Sequence, residues 1–130
     1  MERFLALFDH RWPTPAELDE LLAPDVTMIE RPNMLKPSGG TRDGQEVRAG
    51  VEAGQALLAW QSYEPRDHVA EGDTVVMRMR WSGELAVDAG PWPAGTRMSA
   101  WCVAHYRLAD GHIASIEQHD CYEPPEPPGG

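Results

Sequence analysis

Cysteine is scarce in this chain. With only Cys102 and Cys121 among 130 residues, no disulfide framework staples the fold. Neither has a basic sequence neighbour that would activate a thiol, so both read as small buried residues. Basic residues are scarce too, at 11 against 21 acids, for a net charge of −10. Nucleic acid and anionic membrane surfaces both need a basic footprint, so neither is an expected partner. No apolar run approaches the roughly 20 residues that cross a bilayer. The opening MERFLALFDHRW lacks the apolar region and cleavage site of a signal peptide. A soluble, cytoplasmic chain is the expectation. His10, His68, His105, His112 and His119 show no metal-ligand spacing. Glu117 and His119 would share a strand face, but no third ligand joins them, so no metal is expected. No cofactor motif and no internal repeat is present.

What is there suffices for one domain with one core: 42% of residues are apolar. Phe4, Leu5, Leu7 and Phe8 predict a short first helix. Thr14-Pro15-Ala16-Glu17 then has the form of a capping box with proline at the first helical position, and Leu18, Leu21 and Leu22 supply the apolar stripe. Pro24 should end that helix. Residues 25–30 alternate as a strand, and 32–40 read as a loop. Asp43 and Glu46 sit in capping positions before a helix reaching Trp60, with Val47, Val51, Gly54 and Leu58 on one face. The period then changes to two. Strands are expected at 62–70 (bulged at Pro65), 74–85, 96–108 and 113–122, with Asp110-Gly111 as a hairpin turn. The order predicts an α+β fold, with helices on one face of an antiparallel meander. The domain should span residues 1–124. The proline- and glycine-rich 125–130 should be a disordered or polyproline-like tail.

Several passages resemble one family. LLAPDVTMIE (21–30) is similar to a helix-to-first-strand passage of SnoaL-like proteins in the nuclear transport factor 2-like superfamily. GDTVVMRMRWSG (72–83) resembles their long third strand, and PAGTRMSAWCVAHYRLADGHI (93–113) their fourth strand and closing hairpin. EQHDCYEP (117–124) resembles the aspartate-bearing last strand of one subgroup. The resemblance implies a cone-shaped α+β barrel, a curved, mostly antiparallel sheet wrapped around N-terminal helices with a deep apolar pocket. Polyketide cyclases, ketosteroid isomerase, epoxide hydrolases, dehydratases and non-catalytic binding modules share that fold, so fold alone does not name the function. In the cyclase branch an aspartate on the last strand is the acid/base, and Asp120 falls there. The arginine and aspartates of the epoxide hydrolase branch are not matched, nor are the tyrosine and protonated acid of the isomerase.

The implied function is a cofactor-independent cyclase, isomerase or dehydratase acting on a small apolar, polyketide- or steroid-like molecule. The alternatives are a non-catalytic binding module for an apolar metabolite and a partner-docking module. Asp120 and His105 are the catalytic candidates. Asn33, Trp60, Trp81, Trp101, Gln118 and Tyr122 are the substrate-binding candidates, with Glu30 beside Asn33 at the rim.

Which side chains share a pocket depends on the hairpin register. A two-residue turn places Ala109 opposite His112. A regular ladder then puts Asp120 opposite Trp101, with His105, Gln118 and Tyr122 on the same face. A one-residue change would instead group Asp120 with Ala100, Cys102 and Tyr106. In either register His119 and Asp120 point to opposite faces. Apolar residues on both faces of the long strands, such as Val75 with Val76, predict a homodimer through the sheet.

Overall fold

A computed structural model describes residues 11–129, so the helix expected around Phe4–Phe8 lies outside the described residues. Helix α1 (Pro15–Leu21) leads directly into strand β1 (Leu22–Glu30). A short β2 (Gly40–Arg42), helix α2 (Gly44–Leu57) and four long strands follow: β3 (Leu58–Glu71), β4 (Thr74–Leu85), β5 (Arg97–Ala109) and β6 (His112–Tyr122). Together the strands form one six-stranded sheet in the order β2-β1-β6-β5-β4-β3. Every pairing is antiparallel except β1 with β6. This is an α+β fold, a curved, mostly antiparallel sheet with its helices on one side.

Local chemistry sets the helix starts. Thr14 accepts from the Glu17 backbone N–H while the Glu17 carboxylate accepts from the Thr14 N–H, and Asp43 and Glu46 do the same for α2. Each box satisfies two donors that a helix start otherwise leaves bare. Asp43→Ala should therefore cost about 1 kcal/mol of stability, read from the urea midpoint. The α2 helix ends at Leu57 rather than Trp60, because Leu58 already begins the ladder with Leu85. The loop expected at 32–40 gives way at Gly40 to a short strand, and Gly40–Arg42 pairs with Met28–Glu30 as β2.

The core fills the concave face. Met77, Met79, Trp81 and Leu85 of β4 alternate inward, as do Ala100, Cys102, Ala104 and Tyr106 of β5. Leu18, Leu22, Val26, Val47 and Val51 complete it from α1, β1 and α2. Gly54 lets Trp12 lie against α2, since a Cβ there would meet the indole at 2.9 Å.

The β5–β6 hairpin corrects the expected register. The turn is as read: Ala109 faces His112, with Asp110 (φ 51°) and Gly111 (φ 77°) both left-handed. Beyond it, Leu108 pairs with Ile113 but Arg107 pairs with Ser115, leaving Ala114 as a bulge. The bulge satisfies two side chains at once. Ile113 and Ile116 are both buried, and a regular strand cannot send residues three apart to one face. Every pair toward the C-terminus therefore slips by one. Asp120 lies opposite Cys102 and not Trp101, and Tyr122 lies opposite Ala100.

The proline-rich end, expected to be loose, is docked. β5 extends three residues past its last β6 partner, leaving the backbone of Arg97 and Ser99 unpaired by β6. Glu123 N–H donates to Ser99 O at 2.9 Å, and Glu126 and Arg97 exchange two backbone bonds at 2.9 and 3.0 Å. The two N–H groups that the tail donates belong to its glutamates, so the missing N–H of the flanking prolines costs nothing here.

Candidate active site

A cavity of about 550 Å³ opens on the concave side of the sheet. Met28, Leu58, Trp81, Leu85 and Met98 give it apolar walls. The loop of residues 86–96 adds Trp92, held by two backbone bonds between Ala89 and Trp92 at 2.8 and 3.0 Å. A second cavity of about 180 Å³ reaches under α2 to Tyr106 and shares Met28, Arg42, Leu58, Gln61, Tyr63 and Gln118 with the first. The wall is more polar than a Met- and Trp-lined pocket: Glu30, Lys36, Arg42, Gln61 and Asp120 all reach it.

Asp120 lines the cavity from β6, and Gln118 Nε2 donates to its Oδ1 at 2.9 Å. Three protonated groups surround that carboxylate. Burial pushes the Tyr122 phenol well above its ordinary range, and the nearby Asp120 and Glu30 charges push it further. Burial does the same to Tyr63, with Cys102 and then Asp120 adding to it. The Cys102 thiol is raised by burial first and by the Asp120 carboxylate second, so it stays a thiol and is a poor nucleophile. Gln61 Oε1 accepts from the Trp81 indole N–H at 2.9 Å. Because that indole can only donate, Gln61 keeps its NH₂ as a donor. Trp81 also meets Tyr122 edge-on, with ring centroids 6.0 Å apart.

Glu30 is a different kind of acid. Its Oε2 accepts from Asn33 Nδ2 at 2.9 Å, while Lys36 Nζ and Arg42 NH2 stand 3.6 and 3.9 Å from its Oε1. Asn33 itself does not line the cavity. Its Oδ1 takes the backbone N–H groups of Leu35 and Lys36, each at 3.0 Å, so it shapes the rim turn and braces Glu30.

Of the residues singled out from the sequence, Asp120, Gln118, Trp81 and Tyr122 line this cavity. Trp60 does not. Trp101 and His105 are on the convex face by the alternation of β5, and the Ala114 bulge puts Asp120 on the other. His119 is also on the convex face, where its ring lies 3.1 Å from Glu117, which Arg31 pairs at 2.8 Å. Arg31 first and His119 second hold the Glu117 carboxyl below its ordinary value. Gln61, Tyr63, Cys102, Lys36, Arg42 and Trp92 were not foreseen. The alternation of Gln61 with Tyr63 was the available signal, hidden by starting β3 after Gln61.

Residues 1–116 match the sequence profile of the SnoaL-like domain. The chain belongs to that family. Its fold is the cone of the nuclear transport factor 2-like superfamily, and solved structures agree. IdmH of Streptomyces antibioticus, a proposed polyketide cyclase, superposes with a TM-score of 0.68 at 24% identity, over 81% of this chain and 78% of its own. A proposed SnoaL-like polyketide cyclase from Jannaschia sp. CCS1 gives 0.71 at 20% identity, over 92% and 83%. AclR of Streptomyces galilaeus, a proposed hydroxylase, gives 0.72 at 18%, over 92% and 71%. No curated protein matches the chain. At these identities the structural likeness concerns the fold. The SnoaL-like profile stops at residue 116, so the case for Asp120 rests on its surroundings. Among the described residues, no helix of this SnoaL-like chain is long and apolar enough to cross a membrane.

Proposed function

We propose that this SnoaL-like protein is a cyclase-, isomerase- or dehydratase-type enzyme for a small, largely apolar carbonyl compound, with Asp120 as general acid/base. The observation that carries this reading is a cavity carboxylate ringed by groups held protonated. Glu30 is engaged by Asn33 and faced by two cations, which leaves Asp120 as the cavity acid to accept a proton. In the proposed step the C–H bond next to a carbonyl breaks, its proton goes to an Asp120 oxygen, and the electron pair moves onto the carbonyl oxygen. The Tyr122 hydroxyl and the Gln61 NH₂, both on the cavity wall, are donors for that oxyanion. Return of the proton to another atom completes an isomerisation, and attack of the enolate carbon on a second carbonyl completes a cyclisation. His105, on the far side of the sheet, has no part. A direct test is deuterium incorporation at C1 of 2-tetralone in D₂O, followed by NMR. Wild type should exceed the buffer rate. Bound 2-tetralone with no acceleration would favour the non-catalytic binding module.

The convex face supports a homodimer. Val69, Trp101 and Val103 are exposed there, at 72%, 42% and 39%. Trp101 is ringed by Arg80, Arg66 and Arg78, 5.0–5.9 Å from its centroid, and each arginine pairs with an acid. Such a patch carries both signs of charge and an apolar centre, as self-association about a two-fold axis requires. Sedimentation at low micromolar concentration should give twice the 14.4 kDa chain mass. Trp101→Glu should give the single-chain mass with the melting profile of a folded protein. A wild-type protein sedimenting as one chain would remove the dimer.

A further inference from the structure

The acid at the cavity rim is outnumbered. Lys36 and Arg42 both face the Glu30 carboxylate, yet at 3.6 and 3.9 Å neither is within hydrogen-bonding distance of it. Both also line the cavity. The three groups sum to one net positive charge, inside a chain whose net charge is −10. The backbones that carry the two cations are held in place. Lys36 sits in a tight turn where Asn33 N–H donates to Lys36 O at 3.0 Å and Lys36 N–H donates back to Asn33 Oδ1 at 3.0 Å. Arg42 pairs with Met28 through β2 and extends its guanidinium to Gly50 of α2, where a Cβ would meet its NH1 at 2.9 Å.

The cavity's other carboxylate, Asp120, lies along β6. Glu30 pairs with Gln118 across β1 and β6, and Gln118 donates to Asp120. One strand spacing and two residues along β6 separate the Glu30 and Asp120 backbones by roughly 8 Å. The cavity wall is thus polarised, with two cations about Glu30 and the Asp120 carboxylate apart from them. We propose that its ligand carries a carboxylate group, seated between Lys36 and Arg42, with its reacting carbon at Asp120. This rests on the reading of the cavity as the ligand site and names the class of ligand. An anionic group at the rim neutralises the excess charge with charge-assisted hydrogen bonds that Glu30 does not take up. It also keeps the ligand's negative end away from Asp120, which must accept the proton.

Calorimetry with 2-naphthoate and its neutral isostere 2-naphthamide tests this on the full chain. Wild type should bind naphthoate at least about 10-fold more tightly, the scale of one charged hydrogen bond. Lys36→Gln and Arg42→Gln should each remove most of that preference and leave naphthamide affinity unchanged. Glu30→Gln should move the other way and tighten naphthoate, because it deletes the competing anion while its amide oxygen still accepts from Asn33. A merely structural role for the two cations would not produce that increase. Should a cation variant fail to fold, the Glu30→Gln increase and a salt-dependent loss of naphthoate affinity in wild type carry the test. Naphthamide binding as tightly as naphthoate overturns the proposal and leaves the cavity reading standing. Failure of both ligands to bind overturns the two together.

Discussion

Asp120→Asn should lower the rate of deuterium exchange into 2-tetralone by about 10²–10⁴-fold, the usual contribution of a positioned general base. The substitution is close to isosteric, and an asparagine Oδ1 still accepts from Gln118 Nε2. The β6 ladder, the neighbouring Tyr122 and the Trp81 edge contact are backbone and ring features that the change does not touch. Melting temperature and naphthamide affinity should therefore stay at their wild-type values while exchange collapses. What disappears is the only change made: an oxygen that can take a proton from carbon and pass it to solvent. The phenols of Tyr63 and Tyr122 cannot substitute, because burial keeps their protons on. The Cys102 thiol cannot either, for the same reason. Unchanged exchange in Asp120→Asn would reduce Asp120 to a strand-end acid that braces Gln118. The same variant with His105→Ala as a companion separates the two candidates read from the sequence. His105→Ala should leave exchange untouched, since its side of the sheet faces away from the cavity.

Two tryptophans that look alike in the sequence should part by several kcal/mol. Trp81→Ala should cost about 3–5 kcal/mol, the usual range for emptying a large aromatic site. Trp81 is 8% exposed, donates to Gln61 and meets Tyr122 edge-on. Its loss also strips the buried Gln61 oxygen of a partner, which adds about 1–3 kcal/mol if water cannot reach it. The total takes up much of the stability of an ordinary domain, about 5–15 kcal/mol. Trp101→Ala, measured below the concentration of self-association, should cost at most about 1.5–3 kcal/mol. It is 42% exposed, and its arginine contacts are the solvent-facing kind worth about 0.5–1 kcal/mol each. Urea unfolding followed by circular dichroism measures both. A large loss in Trp101→Ala with a small one in Trp81→Ala would contradict the face assignment of β4 and β5.

The amino-acid sequence by itself determined the parts whose causes are local. Capping boxes at Thr14 and Asp43 are four-residue devices, so the starts of both described helices were legible. The inward set Met77, Met79 and Trp81 follows from the two-residue period of a strand, and the Asp110-Gly111 turn from the left-handed angles those residues tolerate. The family resemblance rested on the order of such pieces, and the domain class followed from it.

The site was decided elsewhere. Whether Asp120 meets Trp101 or Cys102 depends on one residue, Ala114, whose bulge exists because Ile113 and Ile116 must both reach a core built by other strands. The core that makes this demand is built by other strands, and two isoleucines three apart in one strand were its local trace. The rim charges have no local cause either. Glu30, Lys36 and Arg42 face one another because β1, the turn after it and β2 fold back beside β6, which brings Glu30 next to Gln118 from 88 residues away. Docking of Glu123 and Glu126 likewise waits on β5 extending past β6, a mismatch of strand lengths that only the assembled sheet contains. A side chain's face is a property of its strand's pairing, and pairing is settled by what the whole core must bury.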